Sequence, residues 1–332
     1  MKVDSGLMSD DLARVPEYAR KLEADGYDGC VTAETSHDPF FPLLLAAEHT
    51  ERIELMTSIA VAFARTPMVL ANIGHDLNQV SKGRFILGLG SQIQPHITKR
   101  FSMPWSHPAA RMREFIQAMR AIWANWHEGE PLRFKGEFYT HSLMTPMFTP
   151  LNTEHGAPKV MLAAVGPKMT EVAGEVADGV IVHAFTTRKY IDEVTLPALE
   201  RGLAAGGQSR ADFQIACPLF VVTGDDEKAW EASRTAVCKQ IAFYGSTPAY
   251  RPVLDIHGWG GLQSDLNALS KRGEWDEMGA RITDEILEQF AIVAAPGEVP
   301  GLLKKRYGDV IDRVLATFSA SNRAEALATL RS

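Results

Sequence analysis

Residues 159–184 read KVMLAAVGPKMTEVAGEVADGVIVHA. The two ends of this stretch, 159–165 and 179–184, are short and almost wholly apolar, as strands covered on both faces are. Between them, 167–177 has helical spacing and starts at Pro167, where a missing N–H costs nothing. A strand, a helix and a second strand in so short a span form a βα unit with parallel strands. The same alternation continues outward. Toward the N-terminus, apolar runs at 2–7, 28–33, 53–63 and 85–90 are separated by helical patterns. These lie near 10–25, closed by Gly26, around Leu43, Leu44 and Leu45, and from Pro67 through Leu70 and Ile73. The run 85–90, FILGLG, is apolar throughout. The clearest helix lies within 109–126, where Met112, Phe115, Ile116, Met119, Ile122, Trp123 and Trp126 share one stripe, so its tryptophans read as packing residues.

Residues 133–147 alternate around Lys135-Gly136 and predict a hairpin before the fifth strand. Beyond the starting stretch, 213–223 and 291–295 supply a seventh and an eighth strand, with helices at 190–205, 225–244 and 300–315. This succession predicts an α/β fold, a (β/α)8 TIM barrel with insertions after several strands, and a single domain over 1–332. A doubly wound open sheet fits less well, because no Gly-x-Gly-x-x-Gly turn follows the first strand. Residues 245–281 break the rhythm, being rich in Gly, Pro and Trp and too long for an ordinary connection. They read as a lid or a mobile linker. The lid is favoured, since Tyr250, His257, Trp259 and Trp275 are anchors that a disordered linker lacks.

Composition narrows the function. The 332 residues carry 34 Lys+Arg against 41 Asp+Glu, a net charge of −7 without a dense basic stripe, which speaks against nucleic acid and anionic membranes as partners. No apolar run approaches the roughly 20 residues that span a bilayer, and the opening MKVDSGLMSDD has no basic region leading into an apolar stretch. The expectation is a soluble, cytoplasmic chain. Cys30, Cys217 and Cys238 are far apart and lack Cys-x-x-Cys spacing, so they read as small buried hydrophobes.

A barrel builds its site from whatever follows each strand at its C-terminal end. Here that gives Glu34, Thr35, His37 and Asp38 after the second strand, Ser58 to Ala62 at the third, Ser91, Gln92 and His96 after the fourth, 163–167 after the fifth, His183 after the sixth and Thr223 after the seventh. Neither His37-Asp38 nor His183 has a second ligand at metal-binding spacing, so an organic cofactor is expected and no metal. Ala163-Ala164-Val165-Gly166-Pro167 is a small-residue loop opening into a helix, whose free N–H groups suit a phosphate. Small residues also suit any tight turn in a barrel, and both readings stand at this point. Arg188 is either a second anionic anchor or, like Lys189, part of a solvated face.

Thr57-Ser58-Ile59-Ala60-Val61 with Ala64-Arg65-Thr66-Pro67, Ser81-x-Gly83-Arg84 with Leu87-Gly88-x-Gly90, Ala163-Ala164-x-Gly166-Pro167, and Asp178-Gly179 together resemble the bacterial luciferase-like superfamily. Within it, the chain looks most like the branch that uses the deazaflavin coenzyme F420. The resemblance implies a flavin-type ring across the barrel mouth and a non-prolyl cis peptide at Ser58–Ile59. It also implies coenzyme contacts at Ser58, Ile59, Val61, Ser91 and Gln92, with Ala163 and Ala164 beneath the ring and phosphate contacts at Val165 and Gly166. Arg188 is a further candidate by position only. Relatives of this type are commonly homodimers. Many also place an acid and then a histidine after the second strand, whereas here Thr35 follows Glu34. Glu34 and His37 are therefore the candidate catalytic residues, Glu34 either as a general acid or as an acceptor for coenzyme or loop N–H groups.

The resulting expectation is an oxidoreductase moving a hydride between F420 and a small organic substrate: a carbonyl, an alcohol or a conjugated alkene. One alternative is an FMN-dependent luciferase-like monooxygenase. A second, motivated by the missing histidine, is a non-catalytic barrel that binds a flavin or a lipid.

Overall fold

A computed structural model describes residues 1–7, 11–316, 318–319 and 321–332. Eight parallel strands close into a barrel: β1 Lys2–Gly6, β2 Gly29–Thr32, β3 Glu54–Thr57, β4 Phe85–Gly90, β5 Lys159–Ala164, β6 Gly179–Val182, β7 Gln214–Pro218 and β8 Arg313–Leu315. Each pairs with its sequence neighbours, β8 returns to β1, and β3 pairs with β4. The interior is filled by Val31, Met56, Ile86, Met161, Ile181 and Ala216, one inward side chain from each of six strands.

The outer layer follows the apolar stripes. Helix α1, Val15–Ala24, ends before Gly26, whose φ of 89° suits only glycine. Helix α2 is Phe40–His49. Helix α3, Pro67–Val80, starts on Thr66, whose side chain accepts from the Val69 N–H. Helix α4, Pro108–Glu128, buries every residue of the expected stripe, both tryptophans included. Helices α5, Pro167–Val176, and α6, Leu196–Gly206, follow β5 and β6. Arg84, in the turn before β4, donates to the carbonyls of Ala47, Thr50 and Ile53, fastening the end of α2 to the start of β3. Cys30, Cys217 and Cys238 are buried and free.

Five expected elements differ. The run 53–63 is interrupted: β3 ends at Thr57, Ala60–Val61 pairs separately with β4, and Ala62–Ala64 is a 3-10 turn. The run 213–223 is two strands split at Pro218, of which only β7 belongs to the barrel. Its second part, Phe220–Val222, pairs with Ala291–Val293, so 291–295 is not the eighth barrel strand. The eighth strand is Arg313–Leu315, inside the span expected as helix 300–315, where the helix covers Val299–Tyr307. The hairpin in 133–147 shrinks to Phe134–Lys135 against Thr140–His141.

Residues 220–293 thus form an excursion between β7 and β8, wider than the expected 245–281. It contains helix α7, Glu227–Gly245, then α8 Arg251–Asp255, α9 Gly260–Arg272, α10 Trp275–Ala280 and α11 Asp284–Phe290. The excursion has its own apolar core, including Ile241, Val253, Leu254, Leu266 and Phe290, into which Phe185 and Tyr190 of the barrel rim project.

Two contacts fix the barrel. At its lower end Arg313 is 1% exposed; Nε and Nη2 donate to both oxygens of buried Asp4 at 2.8 and 2.7 Å, and Nη1 donates to Glu54 at 2.6 Å. Gly29 makes room, since a Cβ there would lie 2.3 Å from the Asp4 carboxylate. Higher up, a Cβ on Gly88 would lie 1.8 Å from the Thr57 carbonyl oxygen, while the Thr57 hydroxyl donates to the Gly88 carbonyl at 2.7 Å. Denaturant unfolding should therefore show Gly88→Ala losing about 3 kcal/mol or more. Gly166→Ala, where a Cβ meets nothing within 4 Å, should stay within about 0.5 kcal/mol of wild type. Arg313→Met should cost about 3–5 kcal/mol by stranding Asp4, and adding Asp4→Leu should restore part of the loss.

Candidate active site

At the C-terminal rim, the end of β3 is the most elaborated element. The Ser58–Ile59 peptide bond is cis, as the resemblance implies. Ser58 N–H donates to the Thr32 carbonyl at 2.6 Å and Glu34 N–H to the Ile59 carbonyl at 3.1 Å, tying β3 to the loop after β2. The Ile59 side chain lies across Gly90 at the end of β4: a Cβ on Gly90 would be 2.7 Å from Ile59 Cδ1 and 3.7 Å from the Ala163 Cβ. Ile59, Gly90 and Ala163 therefore come together as an apolar floor resting on the interior residues.

Glu34, whose N–H bonds the Ile59 carbonyl, has its carboxylate taken up by the chain. Oε2 accepts from Val61 N–H and from Arg65 Nη1, both at 2.7 Å, and the side chain is 7% exposed. Arg65 also donates through Nη2 to Asp38 at 2.9 Å and stacks over the Phe40 ring, 5.3 Å from its centroid. A guanidinium between two carboxylates fixes the loop after β2 against the bulge of β3. The sequence reading quoted Arg65 within a motif and gave it no role; a cation just before the Thr66-Pro67 helix start was the available signal. His37 lies exposed at the tip of that loop.

The other expected residues divide. Ser91 and Gln92 follow β4 half-buried, Gln92 with φ 59°, and the Ser91 hydroxyl donates to the Gln92 carbonyl. Ala163 faces the interior, whereas Ala164 packs outward against the helices. Val61 is fully buried in that outer core. The Val165 carbonyl accepts from the Tyr190 hydroxyl at 3.3 Å. Gly166 caps α5 with no side chain on the helix's first amides and open space where a Cβ would stand. Arg188 is engaged elsewhere: Nε reaches Asp192 at 2.8 Å, and Nη1 and Nη2 hold both oxygens of Asp309 at 2.7 and 2.8 Å. Thr223 lies beyond β7, in the excursion.

Beside Val165, at the end of β6, stands a group the sequence reading did not assemble. His183 packs edge-on against Tyr244, 4.6 Å between centroids, and tilted against Tyr250 at 4.8 Å. Phe185 N–H donates to His183 Nδ1 at 3.0 Å, leaving Nε2 to face the Tyr250 hydroxyl at 3.5 Å. Burial pulls the imidazole down to about 4 and pushes the Tyr250 phenol up to about 12, so both are neutral near pH 7. The excursion is fastened here: Thr187 Oγ1 meets His257 Nε2 at 2.8 Å, Lys189 donates to the Ile256 carbonyl, and His257 stacks on Trp259. His183 had appeared among the strand ends and Tyr250 among the anchors; their meeting depends on how 220–293 folds back. Among the described residues, no cluster of three or more His, Cys, Asp or Glu is placed to hold a metal ion, and no helix is long and apolar enough to cross a membrane.

An uncharacterised protein of Mycobacterium tuberculosis is 56% identical over 323 residues, covering 97% of this chain and 95% of its own. The 5,10-methylenetetrahydromethanopterin reductase of Archaeoglobus fulgidus is 28% identical over 292 residues, 85% of this chain and 82% of that one. In fold, the chain is similar to the coenzyme F420-dependent tetrahydromethanopterin reductase of Methanopyrus kandleri, with a TM-score of 0.77 at 20% identity over 99% of this chain and 96% of that chain. Residues 2–313 match the family described as luciferase-like monooxygenase, and the chain belongs to that family.

Proposed function

We propose that this protein is an oxidoreductase that uses coenzyme F420 to move a hydride to or from a small organic substrate held at the barrel mouth. The observation that carries the reading is the similarity, at 28% identity over 83% of this chain, to a putative coenzyme F420-dependent oxidoreductase of Mycobacterium tuberculosis, beside that to the reductase above. The rim fits such a coenzyme. The Ile59–Gly90–Ala163 floor is apolar, small and free of acids, as the face of a planar ring needs, and the open position at Gly166 stands before uncapped amides suited to a phosphate.

When bound, the deazaflavin supplies the carbon that gives or takes the hydride. The chain supplies the rest. Ile59 and Ala163 set the depth of the ring, Ser58, Ser91 and Gln92 offer polar atoms at its edge, and Val165 and Gly166 offer main-chain amides to the tail. Glu34 holds Val61 N–H and Arg65, which makes it the positioning residue of the β3 bulge in this proposal and leaves His37 at the rim. Arg188 is omitted from the coenzyme contacts because Asp192 and Asp309 occupy it. In this reading the excursion, fastened beside the rim at Thr187 and Lys189, serves as the lid. FMN has a similar ring and phosphate, so the choice of coenzyme decides between this reading and a monooxygenase.

Titrating the protein with F420 and FMN side by side should give at least tenfold tighter binding of F420, and a substrate panel should bleach or restore its visible absorbance. Tighter FMN binding with oxygen uptake points to the monooxygenase; binding without turnover on a broad panel points to a silent barrel. Gly166→Asp places a carboxylate where the phosphate is proposed, and should weaken F420 at least tenfold while leaving the melting temperature within a few degrees of wild type.

A further inference from the structure

We propose that His183 and Tyr250 form a neutral two-donor site for the oxygen of an uncharged carbonyl or alcohol substrate. The inference rests on the reading above and narrows it, because a conjugated alkene without oxygen would have nothing to offer this pair. The Phe185 N–H fills Nδ1 of His183, so in the neutral ring the proton sits on Nε2 and points toward Tyr250 Oη. At 3.5 Å that contact is slack for a bond between such groups. An acceptor oxygen set about 2.8–3.0 Å from both would satisfy the imidazole N–H and the phenol O–H together.

Position and surroundings support the assignment. Val182 pairs with Ala164 across β6 and β5, so His183 stands level with Val165 at the rim. Inward Ile181 puts His183 on the same side of β6, facing the mouth. Both residues are half-buried and reach the surface of the mouth, while Tyr244 walls one side. Desolvation alone lowers His183, and the one charge-type influence on Tyr250 is another tyrosine, Tyr244. A substrate carboxylate would find no cation here to offset its lost hydration. After β2, Glu34 is bound to Val61 and Arg65.

The test follows the histidine side chains by 1H–15N spectra of the full-length protein, with and without F420. His183→Gln assigns the resonance, and Tyr250→Phe removes one donor while keeping the ring. Acetone, cyclohexanone or acetophenone should shift the His183 Nε2–H signal and cyclohexanecarboxylate should not. Tyr250→Phe should weaken the responding ketone at least fivefold with the F420 dissociation constant within twofold of wild type. No shift from any of the three ketones overturns the inference, as does a carboxylate binding as well as its ketone counterpart. Equal loss of ketone and F420 binding in Tyr250→Phe also overturns it, since the pair would then hold the coenzyme. If F420 fails to bind wild type while a ketone still shifts His183, the oxygen site stands and the coenzyme reading falls.

Discussion

A parallel barrel has no sheet edge, so its last strand must find its first, and here that meeting is made by a buried cation. β8 is three residues long, too short to hold its register by apolar packing alone. Arg313 compensates by gripping Asp4 on β1 with a two-pronged hydrogen bond and reaching over to Glu54 on β3. Lys2 stands behind Glu54, so the charges form a chain in which the Glu54 carboxylate is shared by two cations. Taking these groups out of water costs several kcal/mol per ion, which only close geometry and complete pairing offset. The lower end is thereby fixed without any part in the chemistry. The rim is left free to be irregular.

That irregularity is concentrated in β3. Its hydrogen bonds pass to neighbours in a broken order: Ser58 to Thr32, Ile59 to Glu34, Val61 back to the Glu34 carboxylate. The result is a short outward step of the chain that lays Ile59 across Gly90. Arg65 locks the step from outside by spanning Glu34 and Asp38. An acid at a strand end, which invites a catalytic reading, serves first to hold the wall that shapes the mouth.

Much of this was legible in the residues. FILGLG, GVIV and, after Lys159, VMLAA declare themselves as strands because both faces are covered and every position is apolar. The α4 stripe declares itself by its spacing. What escaped notice did so for physical reasons. Arg313 places a charge at the start of a three-residue core strand, so β8 does not read as one, whereas the more apolar Ala291–Val293 does. Pairing partners are not written in a run's hydrophobicity, although Pro218 inside 213–223 was a sign that the run breaks. Of the site, the glycines, the small loop and Ser58–Ile59 were visible as motifs. The commitments of Glu34 and Arg188 to ion pairs depend on partners 31 and 121 residues away, Arg65 and Asp309. The meeting of His183 with Tyr250 depends on one 67 residues away.

The excursion between β7 and β8 carries a core of its own, joined to the barrel through Phe185, Tyr190 and a few polar contacts at Thr187 and Lys189. Mutational drift inside that annex is therefore insulated from barrel closure. Descendants of this chain can remodel the annex beside the rim while the barrel's foundation stays as it is.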